Sequence, residues 1–250
     1  MEAWAQSLFI LKNQYEINQP VMKLFSEILQ QAEQRKGGKA ALIALLPPVP
    51  PKSLLLNLPD DRFLAMMTKV INQAGFRWSV VEKKWPQFED AFLDFNIMKL
   101  SFLSPEQWEN YMIDTRIVRH WQKICAVREN LSFVYDESRK RGGFAKLIGE
   151  WPADDQVGLM LYLKKHGSRL GGQTGPRFLR YVGMDAFILT GDVVLAMQNA
   201  GLDIADNPSS QRDLKKAQAL MNQWRKESGL PYTHLSKIAA YSTGVNYDSV

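Results

Sequence analysis

Two runs in this 250-residue chain carry residue types spaced for chemistry on phosphate-bearing partners. The first is Leu170-Gly-Gly-Gln-Thr-Gly-Pro-Arg-Phe-Leu-Arg180. Its glycines predict a turn, and Pro176 predicts the opening of a helix. A turn of this kind aims backbone N–H groups outward at a helix N-terminus, which suits a phosphate. Arg169, Arg177 and Arg180 would add positive charge beside it. The second run, Asp185-Ala-Phe-Ile-Leu-Thr-Gly-Asp-Val-Val194, is mostly apolar and carries the acid Asp192 just past its apolar stretch. That carboxylate would lie near a strand held by the turn. Taken alone, the pattern is better read as a tight turn between two packed helices, with Asp192 as a cap or a partner for Arg180. Asp185 is a second, weaker candidate acid and could simply cap a helix.

The elements that must position these residues read as helices. Apolar residues recur at helical spacing in residues 1–37, for example Phe9, Leu11, Val21, Leu24, Phe25 and Ile28. Lys36-Gly-Gly-Lys39 ends that section. Leu45-Leu-Pro-Pro-Val-Pro-Pro-Lys52 predicts a stiff linker, because no helix interior tolerates that proline density. Asp60 or Asp61 is placed to cap a long helix that runs to Ala74 and stops at Gly75. A short helix is expected over Trp85–Phe95, starting near Pro86. Ser104-Pro-Glu-Gln107 has the capping-box pattern. Helical spacing continues through Trp108–Asp114, Arg119–Ser138, Phe144–Trp151, Asp155–His166, Pro176–Val182, Thr190–Asn199, Ser210–Ser228 and Tyr232–Ala240. The chain reads as all-α, with nine to twelve helices and scarcely any strand-like alternation.

Composition bounds the class. With 7 Trp and 12 Phe in an ordinary apolar fraction, the chain can bury a sizeable core. One cysteine, Cys125, excludes an internal disulfide framework and a Cys-rich zinc site, and fits a reducing compartment. No basic, apolar leader is evident after Met1-Glu2, and apolar runs such as Ala40–Pro48 are too short to span a bilayer. A cytoplasmic location is therefore expected, with no membrane partner. A formal net charge of +5 is compatible with a polyanion without requiring one.

A further set of segments narrows the reading. Gln73-Ala-Gly-Phe-Arg-Trp78 is followed by Lys83-Lys-Trp-Pro-Gln-Phe-Glu-Asp-Ala-Phe92, and then by Thr115-Arg-Ile-Val-Arg-His-Trp-Gln-Lys-Ile124. This order resembles the bacterial 3-methyladenine DNA glycosylase I family, within the helix-hairpin-helix DNA glycosylases. The resemblance runs from about Phe63 to Leu202. It implies a multi-helix, helix-hairpin-helix glycosylase-like fold over residues 56–205. Residues 1–55 would then be an N-terminal helical extension with its proline-rich linker, and residues 206–250 a helical tail packed on the core. It implies excision of an alkylated, 3-methyladenine-like base from double-stranded DNA in base-excision repair, by a monomer associated with the nucleoid. The target nucleotide would be flipped into a pocket. Gln73, Phe76 and Trp78 fall on that base pocket, where a tryptophan offers a stacking face and a glutamine a base-edge contact. Gly171, Gly172, Thr174 and Gly175, with Arg177 and Arg180, fall on the DNA-binding hairpin.

The departures from the family are as informative. Val70 stands where the family has a pocket glutamate. The family's N-terminal tyrosine-histidine segment has no counterpart in residues 1–62. Its structural zinc cannot be rebuilt from Cys125, His120, His166 and His234, so neither metal nor cofactor is expected. An alkylated purine is already a cationic leaving group, so electrostatic support of an oxocarbenium-like sugar is the main demand, and Asp192 suits it. Asp192 lies two residues past Thr190, the position that matches the catalytic aspartate of the wider superfamily. No lysine follows the turn to support Schiff-base chemistry, and Lys164 and Lys165 precede it, so a monofunctional enzyme is implied. The alternative is a non-catalytic DNA-binding protein on the same scaffold, which Val70 favours.

Overall fold

The computed structural model describes residues 22–244. Among them every regular element is a helix. The α-helices are α1 (Phe25–Lys36), α2 (Lys39–Ala44), α3 (Lys52–Leu56), α4 (Asp60–Gln73), α5 (Trp78–Ala91), α6 (Ile97–Ser101) and α7 (Pro105–Asn110). They continue with α8 (Trp121–Arg141), α9 (Phe144–Gly149), α10 (Gln156–His166), α11 (Thr174–Tyr181), α12 (Gly191–Asn199), α13 (Gln211–Ser228) and α14 (Tyr232–Ser242). The count exceeds the nine to twelve expected, because the segments around the proline linker and around Ser104 break into short helices. Phe9, Leu11 and Val21 lie outside the described residues.

Three apolar clusters hold the helices together. One joins α1 to α12, α13 and α14, through Phe25, Ile28, Met197, Trp224, Leu235 and Ile238. A second gathers α4, α8, α9, α10 and α11 around Phe63, Met67, Val134, Phe144, Leu163 and Phe178. The third packs α4, α5, α7 and α8 through Leu64, Phe88, Phe92, Phe95, Trp108 and Ile124. α4 contributes to both the second and the third cluster, so most of its residues are buried. A helix apolar on more than one face belongs at the centre of a domain.

Local chemistry explains most boundaries. Ser104 accepts the N–H of Gln107, and the Gln107 side chain accepts the N–H of Ser104, closing the expected capping box of α7. Asp155, Thr190 and Ser210 cap α10, α12 and α13. Two expectations need correcting. Asp60 does not cap its own helix; its Oδ1 accepts the N–H of Phe144 at 2.9 Å and so caps α9 from across the fold. Nor does the next helix start near Pro86. α5 begins at Trp78 and carries Pro86 inside it. Pro86 is exposed, so the carbonyl its ring leaves without a helical partner meets water rather than the core.

After α5 the chain makes a single left-handed turn, with φ of 55°, 56° and 57° at Leu93, Asp94 and Phe95. L-residues resist this conformation by about 1–2 kcal/mol each. The surroundings hold it. Arg62 grips both carboxylate oxygens of Glu89 and the carbonyl of Asp94. Phe95 stacks on Trp85 and Phe92, and Tyr111 donates to the carbonyl of Ala91 at 2.9 Å.

Candidate functional site

The corner between α4 and α5 brings the quoted glutamine-to-tryptophan run to the surface. Gly75, at φ +77°, turns the chain, and the N–H of Phe76 bonds back to the carbonyl of Gln73. α8 braces this corner through Lys123. Its ammonium donates to the carbonyls of Asn72 (3.1 Å) and Ala74 (3.0 Å), at the negative end of α4. The same ammonium lies 4.7 Å from the centre of the Phe76 ring. Burial, and then the nearby charge of Arg169, pushes the Lys123 pKa down. The result is a rigid corner with two presented rings, Phe76 and Trp78, 44% and 43% exposed.

A polar network lies behind these rings. Gln73 is buried, and its Nε2 donates to Glu82 Oε1 at 2.9 Å. The other oxygen of Glu82 pairs with Lys69 at 2.8 Å. Lys69 in turn sits 5.2 Å from the centre of the Trp85 ring. Val70, by contrast, is buried among the apolar residues of the second cluster. It is a packing residue of the core.

The glycine-rich turn folds as an approach of backbone to backbone. Gly172 takes φ +57° at the exposed tip. A Cβ on Gly175 would lie 2.5 Å from the carbonyl oxygen of Leu170, so only glycine lets α11 enter this close to the preceding chain. α11 opens at Thr174, two residues earlier than Pro176, and Pro176 is buried within its first turn. Gln173 donates to the carbonyl of Leu189, which ties the turn to the segment before α12.

The arginines divide. The Arg177 guanidinium lies 4.8 Å from the centre of the Trp78 ring, so the turn's helix meets the α4–α5 corner directly. Arg180 points inward instead. Its Nε and Nη2 donate to the carbonyl of Ala186, and Nη2 also donates to Ser236 Oγ at 2.7 Å. Burial pushes its pKa down to about 10. The expectation that Arg180 reaches phosphate therefore gives way to an internal tie between α11 and α14. Arg169 is exposed and donates to Gln122. Lys237 of α14 joins this cationic region; burial first, then the charges of Arg180 and Arg177, lowers its pKa.

The acids sit apart from the rings. Asp185 accepts the N–H groups of Tyr232 (3.0 Å) and Thr233 (2.8 Å) and caps α14. Asp192 is exposed in the first turn of α12, next to Thr243 and Gly244. Thr243 Oγ1 donates to its backbone carbonyl at 2.7 Å, and its carboxylate accepts no hydrogen bond among the described residues. None of these contacts brings Asp192 to Trp78. A cavity of about 500 Å³ opens elsewhere, between α1, α2, α13 and α14, and is lined mostly by apolar residues, with Glu33, Lys39 and Glu227 among the rest. Glu82, Lys69, Lys123 and Lys237 were not anticipated as parts of this region. The i, i+4 spacing of Trp78 and Glu82 on a helix starting at Trp78 is the signal that would have found Glu82.

Residues 57–160 match the family described as methyladenine glycosylase. That range holds the α4–α5 corner and Lys123; the glycine-rich turn and Asp192 lie beyond it. Among solved structures, the chain is similar to 3-methyladenine DNA glycosylase I from Staphylococcus aureus. Identity there is 20%, over 50% of this chain and 77% of that one, with a TM-score of 0.45. Another 3-methyladenine DNA glycosylase I shows 22% identity over 58% of this chain and 86% of that one, with a TM-score of 0.44. A third, a variant in complex with 3-methyladenine, shows 20% identity over 54% and 88%, with a TM-score of 0.45. No curated protein matches the chain. Among the described residues no helix is long and apolar enough to cross a membrane.

Proposed function

We propose that this protein is a monofunctional DNA glycosylase that hydrolyses the N-glycosidic bond of an alkylated, 3-methyladenine-like base in double-stranded DNA. One observation carries the reading: the Arg177 guanidinium lies over the Trp78 ring, 4.8 Å from its centre. It joins the segment that matches the methyladenine glycosylases to the glycine-rich turn outside that match. A guanidinium is a flat cation, and so is a purine alkylated on a ring nitrogen. The Trp78 face thus already suits the leaving group, by cation–π attraction and stacking. In this reading a flipped base takes the place over Trp78, and Arg177 moves to the DNA backbone beside Gly171, Gly172, Thr174 and Gly175. Asp192 is the carboxylate assigned to the sugar, because it is exposed and its carboxylate accepts no hydrogen bond among the described residues.

The test is single-turnover base release from methylated duplex DNA, with the released bases identified. Release of 3-methyladenine by the wild type supports the reading; its absence from every alkylated substrate defeats it. Asp192→Asn should slow release by about a hundredfold, in the range seen when one preorganised electrostatic group is lost, with DNA affinity nearly unchanged. Release at the wild-type rate would remove Asp192 from the chemistry. The buried Val70, in place of a pocket acid, favours the second reading: a DNA-binding protein on this scaffold without catalysis. DNA binding with no base release would select it.

A further inference from the structure

We infer that the apolar groove between α1, α2, α13 and α14 receives residues 4–15 of this same chain, along the stripe Trp4, Leu8, Leu11 and Tyr15. Residues 4–15 lie outside the described ones. The inference concerns the fold around α1 and stands apart from the proposed function.

The groove follows from how the chain turns after α1. Gly37, at φ +82°, and Gly38, at φ +109°, reverse its direction. The N–H of Gly38 returns to the carbonyl of Glu33 at 2.7 Å, so α2 comes back beside α1. Phe25 and Ile28 of α1 are buried in the first cluster, with Phe25 packed 5.4 Å from Trp224, ring centre to ring centre. Beside them the packing is open. Leu29, Leu42, Leu230 and Ile238 wall the cavity of about 500 Å³. Leu24 and Ile43 line it too, yet are 54% and 56% exposed. Large apolar side chains gathered on one concave surface mark a binding site, and here they match an apolar partner.

Place, connection and pattern select the occupant. Leu24 and Phe25 line the cavity, so the chain preceding Met22 arrives at its mouth. Asn18-Gln-Pro20 interrupts helical spacing just before α1. A short break of this kind makes the segment before it an antiparallel neighbour of α1. On the order of ten residues link Tyr15 to Leu24, up to about 30 Å when extended, against the roughly 10 Å that separates packed helices. Trp4, Leu8, Leu11 and Tyr15 follow the i, i+4, i+7, i+11 spacing of one helical face, the pattern that fills a groove. Lys12 adjoins that stripe, and acids outnumber cations among the cavity's charged residues, Glu33, Glu227 and Lys39. A second copy of the chain would bring the same stripe, but a tethered segment has an effective concentration in the mM range.

The experiment uses the full chain carrying Ile43→p-benzoylphenylalanine, irradiated and mapped by mass spectrometry of the crosslinked peptides. Position 43 is exposed, and a melting curve checks that the labelled chain folds. The expected product joins position 43 to residues 4–15 of the same chain. Its yield should stay constant over about a hundredfold range of protein concentration, as an intramolecular contact requires. Leu8→Asp with Leu11→Asp should lower the yield about tenfold or more, because charges replace two buried leucines. Gln6→Asp places a charge on the opposite face of the same stretch and should leave the yield within about twofold. A crosslink to a second copy that grows with concentration would assign the groove to a dimer and overturn the inference. So would products confined to residues 22–244, a crosslink to a bound small molecule, or a yield that the double variant leaves unchanged. Equal losses in Gln6→Asp and the double variant would overturn the stripe.

Discussion

α5 carries aromatic residues at both ends, and the two ends use them differently. At its C-terminal end Trp85, Phe88 and Phe92 pack ring against ring with each other and with Phe95, Trp108 and Tyr111. Phe88, Phe92 and Phe95 are fully buried. At its N-terminal end Trp78 and the neighbouring Phe76 are half exposed, and each has a cation, not a ring, on its face. Ring on ring in a dry cluster is packing. A half-exposed ring with a cation on its face is the surface that the proposed function assigns to a flat partner. What distinguishes the two ends is the company each ring keeps.

Breaking the buried end should have the largest effect. Phe92→Ala should cost about 3–5 kcal/mol of stability, through lost burial and an unfilled cavity. Chemical denaturation with a fluorescence readout measures it, and a cost under about 1 kcal/mol would mean the cluster can collapse around the gap. The exposed end should behave in the opposite way. Trp78→Ala should leave stability within about 0.5 kcal/mol, as surface substitutions do. It should slow base release by roughly tenfold to a hundredfold, matching the ~1–3 kcal/mol of one stacked base. A large loss of stability there would erase the distinction between the two ends. The smallest effect is electrostatic. Arg177→Ala should make the slope of log affinity for duplex DNA against log salt shallower by about 1, if its charge moves onto a phosphate. An unchanged slope would mean Arg177 stays on Trp78 when DNA binds.

How much of this was legible beforehand varies with what each residue depends on. The helical class shows in the spacing of apolar residues, and a cap such as Ser104 is a local signal that holds wherever the helix packs. The α4–α5 corner was legible as a motif, since Gln73, Phe76 and Trp78 are adjacent in the chain. Partners from distant segments were not. Asp60 has the form of a cap for its own helix, yet the N–H it accepts belongs to Phe144, 84 residues on. Arg180 looks like a phosphate ligand from its place near the turn. Its true surroundings, Ala186 and Ser236, are set by how α14 docks. Pro86 misled in another way: a proline usually marks a helix start, but here it lies on the solvent face of a helix already under way, where the lost hydrogen bond is least costly.

The packing of α1 against α14 has a consequence for how the chain is made. Arg35, early in the chain, bonds to the carbonyl of Tyr241, 206 residues later, and Phe25 and Ile28 share an apolar cluster with Trp224, Leu235 and Ile238. On the ribosome, α1 emerges before the other described helices, and α13 and α14, which cover it, emerge after the rest of them. Throughout that interval the apolar side of α1 lacks the cover that α13 and α14 later supply, while the helices between can already assemble around α4 and α8. Synthesis at about 5–20 residues per second makes that exposure last on the order of ten seconds or more, a window in which a holding chaperone would find its binding site.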